Sequence, residues 1–410
     1  MSAMVRLCLV LLSAALSLHA WASELAPLDR ALTLAQVDRD GRPHTLLVLA
    51  ADATRVRGLD LSAALDEYPR DALALVRRHG HAAIAERGAG AQRDPASWAS
   101  WSRDQLLSPA GDGSAHVAAG INYPEHGAET EQPERPFLFP KRVAAGPSQT
   151  RIATTPDELL DHEVELCVRF EPGLADPRAI EAALVGLFVC GDFTDRAELL
   201  RRMDLSNVPS GLGFTDAKSK PGYFPTGPWL VVPRDWRGFV SGLQLRLTVN
   251  GEPRQDGRTS EMILSIEQLA ALALADGAQL RWRHADQAVP LLAHGSFDSS
   301  AVLLTGTPDG VIFRPPSAVF KVLHGTGWFV TGGFLRGSVQ RYVADRYVER
   351  LLRANDYLKP GDRVQMQITW LGSIQAEIVS APDTVAGHHR KDAVSEVAGG
   401  PQPASSPITR

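Results

Sequence analysis

Between Ala115 and about Ala381 short apolar runs are punctuated by Gly, Pro and Asn turns, a β-rich pattern. It predicts strands at Glu163–Phe170, Ala183–Cys190, Trp229–Val232, Gln244–Val249, Ala301–Leu304 and Val364–Ile368, with Asn250-Gly251 as a hairpin turn. One long helix is predicted over Val339–Ala354. Ser338 can cap it and Asn355 can end it, with Val339, Tyr342, Val343, Tyr347 and Leu351 toward the core. Upstream, His44–Leu49 reads as a strand. Two helical stretches between Leu61 and Arg87 carry Leu73, Leu75, Val76 and Ala83 on apolar faces. The turn-rich segment Pro109–Ser114 reads as a boundary.

These patterns divide the chain into a leader at 1–22, a small N-terminal α/β region at 23–113, a β-rich domain at 114–383 and a tail at 384–410. The leader reads as a secretory signal: Arg6 precedes the apolar run Leu7–Leu16, and Ala20-Trp21-Ala22 supplies the small-x-small cleavage pattern. The run is short for a membrane span. Export is therefore expected, to the periplasm of a Gram-negative cell. The Ser-, Pro- and Gly-rich tail is expected to be disordered, its His388-His389 pair included.

Composition adds limits. Hydrophobic residues make up 44% and charged residues 22%, enough for a sizeable core. The formal net charge of -5 leaves no basic stripe for nucleic acid. Cys8 leaves with the leader, so two cysteines, Cys167 and Cys190, remain. They fall in phase with Glu163/Glu165 and with Asp192. On neighbouring strands they could pair, but two buried reduced thiols are the favoured expectation.

The run Leu160-Asp-His-Glu-Val-Glu-Leu166 holds the main chemical clue. On an extended strand Glu163 and Glu165 share one face while Val164 and Leu166 take the other. Adjacent carboxylates repel, and a hard divalent cation removes the conflict. A solvated acidic surface strand is the plain alternative. Asp192, ending an apolar strand, could supply a third carboxylate, with Arg196 close enough to face an anion. If a helical turn starts near Pro124, His126 and Glu129 stand at i and i+3, where a carboxylate can orient an imidazole as a base. Lys218 could stabilise an enolate or carboxylate. The turn Thr305-Gly306-Thr307-Pro308-Asp309-Gly310 could aim N–H groups and hydroxyls at a carboxylate.

With these segments the chain resembles the fumarylacetoacetate hydrolase (FAH) family. The matching residues are Gly120-x-Asn122-Tyr123-x-x-His126-x-x-Glu129, His162-Glu163-Val164-Glu165-Leu166, Asp192, Lys218-Ser219 and Gly227-Pro228-Trp229. Val249–Gln255 with Thr259 and Met262, Thr305–Val311, Leu358–Asp362 and Leu371-Gly372 continue in family order over 117 to about 380. The resemblance implies an α+β, β-rich fold: a FAH-type β-sandwich roll, usually a homodimer, holding one Mg²⁺ or Mn²⁺, sometimes Ca²⁺. It implies Glu163, Glu165 and Asp192 as metal ligands, Lys218 as active-site lysine, and His126 with Glu129 as the water-activating pair. Thr307, together with Arg196, would contact substrate.

The expected activity is metal-dependent hydrolysis of a carbon–carbon bond in a small β-diketo or 2-oxo acid, with neither nucleic acid nor membrane as partner. Isomerase, decarboxylase or hydratase chemistry on the same fold is the alternative. A catalytically silent exported binding protein is another. Three departures from the family pattern bear on substrate. The Arg-Asp-x-Gln run of the family is here Arg196-Ala197-Glu198-Leu199, so a polar contact is lost. Lys220-Pro221 follows Lys218-Ser219 in place of an aromatic and an acid. The stretch 312–357 replaces a short connection and is expected to reshape the pocket wall or add to a dimer contact.

Overall fold

The computed structural model describes residues 25–132, 135–335 and 337–382. The expected leader and the expected tail lie outside them. Ten strands form the larger sheet, in the spatial order Ala99–Ser102, Arg55–Asp60, Arg42–Ala51, Ala31–Arg39, Leu230–Pro233, Val185–Gly191, Val164–Phe170, Leu303–Leu304, His116–Gly120, Phe137–Lys141. Five form the second: Glu252–Arg258, Gln244–Val249, Arg363–Ile368, Gly372–Ser380 and Gln149–Thr154. The two sheets meet where Val164–Phe170 and Val185–Gly191 pack on strands of the smaller sheet. Both of these strands are buried at every position, covered on both faces, so they carry near-continuous apolar runs.

The N-terminal region is not set apart by the turn-rich segment at 109–114. Its strand Ala31–Arg39 pairs antiparallel with Leu230–Pro233, so one sheet runs across the expected boundary. Without that pairing Leu230–Pro233 would present an open edge in the middle of an apolar sheet. Arg169 adds a second tie: buried, it donates to Pro109 O at 3.0 Å and to Asp71 Oδ1 at 3.1 Å. The helical part holds three helices, Leu61–Leu65, Leu73–His79 and His81–Gln92, rather than two. Gly80, at φ 80°, takes the backbone through a conformation other residues avoid and splits the last pair.

The hairpin turn forms as expected, with Asn250 and Gly251 both at positive φ (54° and 85°). The long helix spans Val339–Ala354, capped by Ser338 Oγ accepting from Arg341 N and ended by Asn355 in the left-handed region. Its buried residues are Ala344, Tyr347 and Val348, while Val339, Tyr342, Val343 and Leu351 are half-buried. The stripe is turned from the expected one because the helix packs on two others, Arg196–Arg202 and Ala318–Val330. Ala318–Val330 went unforeseen in the pattern, since Gly325 and Gly327 weaken its helix signal. Its outer side exposes Val319, Val322, Leu323, Phe329 and Val330. Among the described residues no helix is long and apolar enough to cross a membrane.

Candidate metal centre and active site

Antiparallel pairing explains why the acids meet. Val164 pairs with Gly191, so Glu163 enters one strand beside the point where Asp192 leaves its neighbour. Asp192 N donates to Glu163 O at 2.9 Å and fixes that edge. Glu165 sits one pair inward, opposite Cys190. Oxygens of Glu163, Glu165 and Asp192 lie within 4.8 Å of one another, all three buried. A buried triad rules out the plain alternative of a solvated acidic strand.

Two lysines neutralise part of this charge. Lys218 Nζ, at the end of the short helix Phe214–Lys218, lies 2.6 Å from Glu163 Oε2 and 2.7 Å from Asp192 Oδ2. Burial alone would lower its pKa, but Asp192 and Glu163 outweigh that and raise it. Lys141 Nζ lies 2.6 Å from Asp192 Oδ1 and also donates to the carbonyls of Lys218 and Tyr223. Here burial prevails over Asp192 and its pKa falls. Asp192 answers to burial and then to both lysines, which hold it below the usual carboxylate range.

Glu165 has no such partner. It accepts from Gly306 N at 2.7 Å. Burial first, then the charges of Asp192 and Glu163, push its pKa well above the ordinary value. The triad is therefore short of positive charge at Glu165, and its donors are all oxygen. A hard divalent cation fits both facts. Glu163, Glu165 and Asp192 would hold it.

The expected pair forms on a short helix, Pro124–Glu129: His126 Nδ1 lies 3.0 Å from Glu129 Oε1. Glu129 is itself held by Gly310 N at 3.1 Å and by Arg314 at 3.0 Å. With Nδ1–H given to Glu129, Nε2 is the free basic nitrogen. The helix follows Ile121, whose φ of 58° is costly for a β-branched side chain. Asn122 holds this bend: Nδ2 donates to Thr305 O at 2.8 Å and Oδ1 accepts from Leu264 N at 2.8 Å.

Two residues assigned to substrate are more engaged than expected. Arg196 is buried, with Nε 2.8 Å from Asp161 Oδ2 and Nη2 2.7 Å from Glu163 Oε1. Its pKa rises, because these acids outweigh burial. Thr307 Oγ1 donates to Val164 O at 2.9 Å and accepts from Gln255 Nε2 at 2.9 Å, so its hydroxyl braces the turn against the metal strand. Gln255 also accepts from Val164 N at 3.0 Å. The pattern gave no role to Lys141, Asp161 or Gln255. For Lys141 a signal existed: a cation closing the apolar run Phe137-Leu-Phe-Pro.

His126 and Arg196 line a cavity of about 460 Å³. The helix Arg196–Arg202 puts Leu199 and Leu200 on its wall, where the family pattern has a polar contact. The stretch 312–357 supplies much of the remaining lining through Phe313, Val339, Val343 and Tyr347. Lys220, the other departure, is tied to Glu158 and Asp195 at 2.6 and 2.7 Å.

The two cysteines are joined, correcting the favoured expectation of free thiols. A disulfide links Cys167 to Cys190, with Cα atoms 5.8 Å apart. Cys167 pairs with Phe188 and Cys190 with Glu165, so the two lie diagonally on adjacent strands. The bond staples the two strands that carry the acids.

Residues 115–379, well over half of the chain, match the model described as fumarylacetoacetate (FAA) hydrolase, C-terminal. The chain belongs to the fumarylacetoacetate hydrolase family. Human mitochondrial oxaloacetate tautomerase FAHD2B is 29% identical over 228 residues, covering 54% of this chain and 64% of that protein. The maleylpyruvate hydrolase of Aquipseudomonas alcaligenes is 29% identical over 225 residues, covering 50% and 67%. The crystal structure of a probable 2-hydroxyhepta-2,4-diene-1,7-dioate isomerase from Mycobacterium abscessus superposes with a TM-score of 0.50 at 19% identity, over 86% of this chain and all of that one. The last is a likeness of fold. FAH proteins are enzymes, and these names span hydrolase, tautomerase and isomerase.

Proposed function

We propose that this FAH protein hydrolyses a carbon–carbon bond in a β-diketo or 2-oxo acid, with Mg²⁺ or Mn²⁺ at Glu163, Glu165 and Asp192. The observation that carries this reading is the buried His126–Glu129 pair, with an imidazole base on the wall of the cavity that Arg196 also lines. A divalent ion bound at the triad supplies Lewis-acid polarisation of the substrate oxygens. His126 Nε2 takes a proton from water, and Glu129 steadies the imidazolium that results. Lys218 offers positive charge to the enolate that leaves. Arg196 has five N–H groups and spends two on Asp161 and Glu163, so others can meet a substrate carboxylate. The Thr307 turn is proposed as the second contact to that carboxylate through its backbone N–H groups, since its hydroxyl is held by Val164 O and Gln255.

Tautomerase, isomerase or decarboxylase chemistry is the second reading. It is favoured by the mixture of reactions among the named relatives, since one enolate-stabilising centre serves them all. Product analysis separates the readings. With acylpyruvates, oxaloacetate and 2-oxo-dienoates as substrates, EDTA-sensitive release of two acids supports hydrolysis. Proton or double-bond migration without cleavage supports the second. No turnover leaves a binding protein.

Export to the periplasm is part of the proposal, supported by the disulfide, which an oxidising compartment permits. Fractionation of the source cells tests it. The homodimer expected from family resemblance is tested by sedimentation velocity.

A further inference from the structure

The cavity is larger than a small 2-oxo acid needs. Its volume is about 460 Å³, within the range of pockets that take drug-sized ligands. A pyruvate-sized head fills a minor part. Beyond His126 and Arg196 the walls are mostly apolar. Leu199, Leu200 and Met203 come from the helix Arg196–Arg202 and its end, and Val343, Ala344 and Tyr347 from the helix Val339–Ala354 that packs on it. Such walls give water few partners, so an apolar ligand gains by replacing it. His126 and Arg196 are the polar lining groups tied to the candidate site, Arg196 by its direct bond to Glu163 of the acidic triad; Thr130, Glu131, Gln132, Lys321 and Gln340 are the other polar residues of the lining.

We propose that the cavity is a tail subsite, and that the substrate is a 2-oxo or 2,4-dioxo acid with an extended aliphatic or aromatic tail. The assignment rests on the proposed reaction for its acidic head and on the cavity walls for its tail. The head lies toward Arg196 and the triad, the tail along the apolar side chains that the helices Arg196–Arg202 and Val339–Ala354 present to the cavity. For a 2,4-dioxo acid the balanced reaction adds the hydroxyl of water to the acyl carbon and breaks its bond to the methylene carbon. That carbon takes the proton, so a tailed carboxylic acid and pyruvate leave. The stretch 312–357 thus sets specificity, by building the wall that the tail meets.

The test uses the full mature protein with Mg²⁺. Calorimetry gives the Kd of straight-chain 2-oxo acids with tails from methyl to decyl, and kcat/KM is measured for 2,4-dioxo acids with matched tails. Affinity should tighten by up to about fourfold per added methylene until the cavity is filled. V343W and V208W, both at half-buried wall positions, should each flatten that slope. A wild-type Kd that is level or weakens with tail length overturns the subsite, whatever the variants do. So does a slope that both folded variants keep unchanged. If the 2-oxo acids bind with the slope but no dioxo acid is cleaved, the subsite stands and the hydrolase reading falls. If acetylpyruvate is cleaved as well as any longer homologue and binding shows no slope, the hydrolase reading stands and the subsite falls.

Discussion

Lys141 Nζ lies 2.6 Å from Asp192 Oδ1, and both side chains are almost wholly buried. A cation in that place serves the acids before any metal does. Asp192 has a lysine on each oxygen, and Lys141 also ties the strand Phe137–Lys141 to the carbonyl of Lys218. Removing one partner of a buried pair leaves the other charge uncompensated. Lys141→Met should therefore cost about 3–5 kcal/mol in the metal-free protein. Mg²⁺ or Mn²⁺ should restore part of the loss by supplying the missing charge. Urea denaturation with and without metal checks both halves.

Glu165 is the opposite case, a buried carboxylate that no lysine bonds directly, with Lys218 acting on it too weakly to offset burial and the neighbouring acids. Its raised pKa means that the ionised form is penalised in the folded chain. Glu165→Gln should leave the metal-free protein as stable as the parent or more so, while abolishing the stabilisation that divalent metal gives. That stabilisation is about 2.7 kcal/mol when free metal is a hundredfold above Kd. A thermal-shift titration reads it, and a variant that still gained the full shift would remove Glu165 from the ligand set.

His126 should separate from the ligands by its phenotype. His126→Ala removes the base and leaves the triad intact, so kcat should fall by about 10²–10⁴-fold with metal affinity unchanged. Steady-state kinetics beside metal titration makes the comparison. Equal loss of metal binding would mean that the imidazole supports the centre rather than the chemistry.

The features legible beforehand were those set by short-range rules. Pro124 at the start of a helical turn placed His126 and Glu129 on one side, and Ser338 and Asn355 bounded the long helix to the residue. The period of two put Glu163 and Glu165 together. What stayed hidden depends on neighbours distant in sequence. That Lys141 would reach Asp192 follows from the placing of the strand Phe137–Lys141 at a sheet edge, which no local spacing encodes. Arg196 read as a substrate contact because its attachment to Asp161 requires the pairing of Thr194 with Asp161. The continuous sheet through Ala31–Arg39 was invisible for the same reason: Pro109–Ser114 is turn-rich, yet strand pairing passes it by.

The disulfide closes a loop between cysteines 23 residues apart. Loop-closure entropy for that length is worth about 3 kcal/mol. A Cys167→Ala/Cys190→Ala double variant should lose about that much in equilibrium denaturation. The reduced wild-type protein should lose a similar amount. Because the bond links the two acid-bearing strands, metal affinity should weaken as well. Two titratable thiols in unreduced mature protein would contradict the pairing.

His116 makes stability depend on pH. Burial first, then the charge of Lys141, drive its pKa from 6.5 to about 3 in the folded chain. The unfolded chain therefore binds a proton that the folded chain refuses between those two values, and stability rises with pH across that window. Above pH 6.5 the residue costs nothing. On acidification the penalty grows, reaching about 2 kcal/mol at pH 5 and about 5 kcal/mol below pH 3. His116→Gln cannot take the proton, so its stability should fall less steeply than the parent's between pH 6.5 and 4. The parent also carries His81 and His162 with lowered pKa values, whose contributions are common to both proteins. The difference between the two denaturation curves isolates His116, and parallel curves would show that its imidazole is charged in the fold.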